Sequence, residues 1–271
     1  MISISRLTDD LPTEENLDVP VISRKEFVRQ FARDYKPGQH VTFLGPSGRG
    51  KTVLAGQLAG ATVRSHPNID LRVLHGKIKG RDQSIEKFAK SARLTIGPDY
   101  KPTWLQRHIT KRDSRGHIVR PLEKPGISAE AENQLIAQRF QKGIHNGYHR
   151  SRKKPIILLV DEAHQAHNDL KLRKDLEAPL MRGRPVCGVW SLVQRGRYVS
   201  YMVYDQAEWL LIFYDPDRDN QRRYSEIGGV DPDVLISLSR RLKTKTVADG
   251  STISQALAFR RSGDFLAIVD T

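Results

Sequence analysis

The sequence predicts an α/β fold: a mostly parallel central sheet flanked by helices on both faces, with a C-terminal antiparallel strand pair. Three observations predict it. Apolar, strand-like runs alternate with segments of helical periodicity through the middle of the chain. One run, His40 to Leu44, passes through a glycine-rich turn straight into a helical segment. Another, Pro155 to Val160, is continuously apolar up to the acidic pair Asp161-Glu162, as in a parallel strand buried on both faces.

The elements follow in order. The first twenty residues hold five acids (Asp9, Asp10, Glu14, Glu15, Asp18), one Arg and two prolines, and residues 1–22 read as an irregular acidic lead-in. The remaining residues, 23–271, read as one domain with a basic insertion at about 95–150. Ser23 to Tyr35 is a helix: Ser23 and Glu26 have capping-box spacing, and Phe27, Phe31 and Tyr35 recur at i, i+4 and i+8 as a core stripe. After the strand His40 to Leu44 come a helix from Thr52 to Ala59, a strand from Leu71 to His75 and a helix from Asp82 to Ala92. Between Tyr100 and Pro155 there are 13 Lys or Arg against 4 acids. Within that stretch Thr110 to Gly116 reads as an exposed hairpin or loop. Ser128 to His145 reads as a helix with Glu130 and Glu132 in its first turn. Helix is expected again from Asn168 to Met181 and from Pro232 to Leu242. Strands are expected at Val186 to Val193, Trp209 to Tyr214, Ala256 to Arg260 and Phe265 to Val269, the last two turning at Ser262-Gly263-Asp264. Trp104, Trp190 and Trp209 lie in or near apolar runs and are expected in the core.

Composition narrows the partners. The 271 residues carry 45 Lys and Arg against 31 Asp and Glu, a formal net charge of +14 that favours polyanions. With 38% hydrophobic residues the chain can build a core, which excludes wholesale disorder. The longest apolar runs fall far short of the roughly 20 residues of a membrane-spanning helix, so no membrane insertion is expected. Residues 1–10 show neither the basic leader nor the apolar stretch of a secretion signal, and a cytoplasmic location is expected. Cys187 is the only cysteine, which excludes an intrachain disulfide and a Cys-based zinc site.

The chemistry is concentrated in two motifs. Gly45, Pro46, Ser47, Gly48, Arg49, Gly50, Lys51 and Thr52 match G-x-x-x-x-G-K-[ST] at every fixed position, between an expected strand and an expected helix. In that context glycines let backbone N–H groups curl around phosphates, Lys51 reaches the β and γ phosphates, and the Thr52 hydroxyl ligates Mg²⁺. The expected nucleotide-binding set is this loop with Val53 beside it, and the expected cofactors are ATP and Mg²⁺. The complement is a carboxylate at the end of a buried strand with a second acid to polarise water. Asp161 is the expected Mg²⁺ partner and Glu162 the expected general base, about 110 residues after the loop. Asp161-Glu-Ala-His164 also spells a helicase DEAH box, and Gln194-Arg-Gly-Arg197 faintly matches a late helicase motif. Only about 30 residues separate the two, too few for the second α/β domain those helicases place between them. His164 is therefore expected at a helix start or beside the site.

Taken in order, these features resemble the FtsK and HerA family of ring-forming P-loop translocases, which includes chromosome pumps, conjugation pumps and viral genome-packaging ATPases. The resemblance continues through Arg182 to Gln194-Arg195, through the strand Glu208 to Tyr214, and through Asp219-Asn-Gln-Arg222 to Gly228-Gly229. It spans roughly residues 38 to 271, with 95 to 150 unmatched, and departs from the family pattern at Val193 and Gly196. It implies a RecA-like ASCE P-loop NTPase, in which Gln194 senses the γ-phosphate. Arg222 is implied as the arginine that reaches a neighbouring active site, with Arg223, Arg182 and Arg184 as competitors. It further implies a homo-oligomeric ring, hexameric or pentameric, moving double-stranded DNA in genome packaging or transfer. A viral portal or capsid protein is then an expected partner, and the host cytoplasm the location if the source is viral. Lys171, Arg173, Lys174 and the basic segment would contact phosphates. No nuclease constellation is visible. Two other readings stay open: an AAA+ type DNA-binding ATPase assisting transposition or helicase loading, which calls for a C-terminal helical lid, and a nucleotide-gated assembly component without motor activity.

Overall fold

The computed structural model describes residues 18–76, 88–89, 95–96, 116–119, 126–151, 154–227, 231–246 and 252–270. In chain order the strands are β1 (Val21–Ile22), β2 (Val41–Leu44), β3 (Asp70–Leu74), β4 (Thr95–Ile96), β5 (Gly116–Val119), β6 (Ile156–Val160), β7 (Cys187–Val193), β8 (Trp209–Phe213), β9 (Thr244–Thr246), β10 (Thr252–Ser254), β11 (Ala256–Arg260) and β12 (Phe265–Val269). The helices are α1 (Arg24–Asp34), α2 (Lys51–Ser65), α3 (Ala129–Ser151), α4 (Ala163–Asn168), α5 (Arg173–Arg182), α6 (Met202–Asp205), α7 (Arg218–Arg222) and α8 (Pro232–Arg240).

Ten of the strands make one sheet in the order β1-β12-β11-β8-β2-β7-β6-β3-β5-β4. From β8 to β4 every neighbouring pair is parallel, so these strands end on one edge of the sheet. The C-terminal pair β11 and β12 is antiparallel, as expected, and β11 also pairs antiparallel with β8, so the pair extends the main sheet. Apolar side chains on both faces explain the continuous runs: every residue of β2, β6, β7 and β8 is buried. Trp190 and Trp209 are fully buried, and Trp104 lies outside the described residues.

Several elements differ from expectation. Val21 and Ile22, read within an irregular lead-in, pair in parallel with Ile268 and Val269; two residues are too few to show a period. The helix expected from Asn168 to Met181 starts only at Arg173, as α5; Asn168 is instead the last residue of α4. Lys171 takes a left-handed backbone (φ 54°), and the Asn168 side chain donates to Tyr198 O, 30 residues away, at 2.5 Å. The helix expected over Ser128 to His145 runs on to Ser151, because its buried stripe of Ile136, Phe140, Ile144 and Gly147 continues over the sheet. Thus β4, β5 and α3, all inside the stretch read as an insertion, belong to the sheet and its cover. Of the expected helix Asp82 to Ala92 only Phe88 and Ala89 are described, as helical. Of the expected loop Thr110 to Gly116 only Gly116 is described, as the first residue of β5, and Gly228-Gly229 lie outside the described residues.

Candidate functional site

The phosphate-binding motif bridges β2 and α2. Gly45 (φ 146°) has no room for a side chain, since a Cβ there would sit 2.7 Å from the Phe213 Cβ. Gly50 enters α2 from the left-handed region (φ 90°), a conformation glycine adopts without strain. The turn therefore delivers the helix N-terminus, with its unpaired N–H groups and positive dipole end, to the sheet edge. Lys51 is 6% exposed, and its Nζ donates to the loop's own carbonyls, Gly45 O at 2.7 Å and Pro46 O at 2.8 Å. Thr52 is half-buried and Val53 exposed.

Two strands over, β6 ends in Asp161 and Glu162. The ladder with β3 runs one step past Val160, through Asp161 N–H donating to Leu74 O at 2.9 Å. Asp161 is buried and its Oδ2 accepts from His75 Nδ1 at 2.7 Å; since a carboxylate only accepts, Nδ1 carries the proton. Glu162 takes a left-handed backbone (φ 57°, ψ 55°), a conformation costing of order 1–3 kcal/mol in a non-glycine residue and held by its surroundings. It accepts through Oε1 from Gln194 Nε2 at 2.9 Å, and Gln194 directly follows β7, the strand between β2 and β6. The structure thus brings the loop, Asp161, Glu162 and Gln194 to the ends of three adjacent strands.

The loop residues Pro46, Ser47 and Arg49 line a cleft of about 490 Å³ together with Gln194, Arg195, Asp215 and Asn220. Asp215 follows β8 and is buried, which raises its carboxyl above the usual range, while bonds from Asp217 N–H and Asn220 Nδ2 act in the opposite direction. His164, half-buried in α4, has its imidazole pKa lowered by burial, against the pull of Glu162 and Asp169.

Arg222 is not part of the cleft lining: it is exposed and lies 3.3 Å from Asp219. Of its competitors, Arg223 donates to Val199 O at 3.0 Å, Arg184 pairs with Glu208 at 2.7 Å, and Arg182 is exposed. Nine of the 13 Lys and Arg between Tyr100 and Pro155 lie outside the described residues. The exposed positions of α3 include Glu130, Gln134, Gln138, Gln141, Lys142, His145, Asn146 and His149. Sequence reasoning passed over His75, Asp215 and Asn220. A signal was present for two of them: His75 and Asp215, like Asp161, are polar residues at the end of an apolar strand run.

No protein-family model matches the sequence, and no curated protein matches it. Solved structures do. The fold is similar to that of B204, the DNA-packaging ATPase from Sulfolobus turreted icosahedral virus, with a TM-score of 0.57 at 16% identity over 87% of this chain and 98% of that one. It is equally similar to the genome packaging NTPase B204 from Sulfolobus turreted icosahedral virus 2 in complex with ATP-gammaS, with a TM-score of 0.57 at 17% identity and the same coverage of 87% and 98%. ATPases 2 and 3 of EssC from Geobacillus thermodenitrificans match with a TM-score of 0.50 at 11% identity, over 85% of this chain and 39% of that one. At such identities the likeness is one of fold.

Proposed function

We propose that this chain is an ATP-hydrolysing, ring-forming motor that moves double-stranded DNA, in genome packaging or DNA transfer. The observation that carries the reading is the convergence of the Lys51 loop, Asp161, Glu162 and Gln194 at the ends of three adjacent strands in an ATPase fold. The fold's likeness to two viral genome-packaging NTPases supports the DNA-moving role. The chain's +14 charge agrees with a polyanionic track.

Each residue then has a task. The backbone N–H groups of Ser47 to Val53 hold the phosphates, and Lys51 exchanges the carbonyls of Gly45 and Pro46 for phosphate oxygens. Thr52 and Asp161 fit Mg²⁺, because both offer hard oxygen donors. Bound there, Mg²⁺ would neutralise charge developing on the phosphates. Glu162 orients and deprotonates the attacking water. Gln194, bonded to Glu162, is placed to hand its N–H from carboxylate to γ-phosphate when nucleotide enters. Arg222, exposed beside the site, is the candidate to reach a neighbouring subunit.

Measuring ATP turnover with and without duplex DNA tests the proposal. DNA should stimulate turnover, and Glu162→Gln should lower it by about 10²–10⁴-fold while ATP binding persists. Turnover indifferent to DNA would overturn the motor reading. The AAA+ alternative gains no support, since the described residues after α8 form strands.

A further inference from the structure

We infer that His75 is a positioning residue for Asp161, committing one carboxylate oxygen so that the other is presented in a single orientation to the divalent cation. The inference rests on the proposed role of Asp161 as the protein's carboxylate partner of Mg²⁺.

The two residues are 86 apart in sequence and meet at the ends of neighbouring strands. The bond from Asp161 N–H to Leu74 O continues the β3–β6 ladder up to the residue before His75, so the backbones beneath the two side chains are already in register. A carboxylate at a strand end can otherwise rotate about χ1 and χ2. Here Oδ2 is engaged at 2.7 Å by a ring that is 0% exposed, while Oδ1 accepts no hydrogen bond from the described residues. Full burial holds the ring in place. A fully buried donor in contact with one oxygen fixes where the other points, which is how hydrogen-bonded neighbours tune ligands in metal sites. A merely packed histidine has no need to direct Nδ1–H at that carboxylate.

The test is Mn²⁺ affinity, followed by electron paramagnetic resonance, in the presence of ATPγS, with metal-free ATPγS binding as the parallel readout. His75→Phe keeps a ring but removes the donor, and it should weaken Mn²⁺ binding by about 10–100-fold while metal-free nucleotide binding stays unchanged. His75→Asn places an amide N–H near the lost Nδ1 and should recover most of the affinity. In the same assay Asp161→Asn should abolish high-affinity Mn²⁺ binding. If Asp161→Asn has no effect, the role of Asp161 fails and the inference with it. If Asp161→Asn acts but His75→Phe leaves Mn²⁺ affinity intact, the inference alone is overturned. Equal losses in His75→Asn and His75→Phe would also overturn it, because packing and not the N–H would then be what matters.

Discussion

The two faces of the central sheet are built from different interactions. One face, covered by α1 and α2, is an aromatic layer in which Phe31 lies 4.9 Å from Trp209 and 5.5 Å from Trp190 between ring centres, with Phe27, Tyr35, Phe43 and Phe265 around them. The opposite face is mostly aliphatic and is laced with side-chain hydrogen bonds. Thr42 Oγ1 donates to Val203 O at 2.5 Å, Tyr204 OH to Gly196 O at 2.7 Å, and Ser200 Oγ to Glu177 Oε1 at 2.7 Å. The difference follows from what each face must hold. Regular helices dock by area, and aromatic rings supply much of it. The segment from Arg195 to Asp205, which follows Gln194 out of the cleft, is a turn and the short helix α6; it buries Val199, Val203 and Tyr204 in the aliphatic core, and the side-chain bonds add direction to that packing.

The largest expected break is on the aromatic face. Phe31→Ala should destabilise the protein by about 3–5 kcal/mol in denaturant unfolding, with nucleotide affinity of the folded fraction unchanged. A loss under about 1 kcal/mol would show that the layer collapses around the gap and is not a fixed platform.

Acid should sharpen the contrast, because the laced face depends on neutral histidines. His40 Nδ1 accepts from Val189 N–H at 2.9 Å while Nε2 donates to Leu180 O at 3.0 Å, and burial, with Arg184 nearby, holds its pKa down to about 4. His167 accepts from Ser200 N–H at 3.2 Å and is likewise held to about 4, chiefly by burial. Between the ordinary pKa of 6.5 and about 4 the unfolded chain takes up protons that these rings refuse when folded. Stability is therefore full above about pH 6.5 and declines as pH falls toward 4, by up to about 3 kcal/mol for each ring. Hydrogen exchange at pH 5 should quicken in α4 and α5 before α1 and α2. Uniform quickening would mean the faces are not separately tied.

The smallest effect is expected at a single tie. Ser200→Ala removes the bond to Glu177 and should cost about 1 kcal/mol of stability. It should also lower ATP turnover, since the segment behind Gln194 loses one of its anchors. Unchanged turnover would show that the remaining bonds position it alone.

Most of the parallel sheet and much of the site were legible in the sequence, and particular residues show why the rest was not. Helix α1 was written in Ser23, Glu26 and the Phe27, Phe31, Tyr35 stripe, and Ser23 Oγ does accept from Glu26 N–H at 3.2 Å. Strand β6 was written in five apolar residues before two acids. Strands β1, β9 and β10 have two or three residues, too few to carry a period, and their pairing depends on partners elsewhere in the chain. At the break between α4 and α5, Asn168 bonds to a loop that comes 30 residues later, a partner no local pattern names.

Local order is what the sequence by itself determined: the glycine turn, Lys51 and Thr52 at a helix start, and Asp161-Glu162 at a strand end. These are contacts between near neighbours, set by backbone conformation and hydrophobic period. The tertiary structure alone decided which side chains meet, because that depends on strand order. Only with β7 between β2 and β6 does Gln194 reach Glu162, and only with β3 beside β6 does His75 reach Asp161. A strand's sequence encodes that it will be buried but not which strand lies next to it, so the polar pairs at the strand ends appear only once the sheet has been assembled.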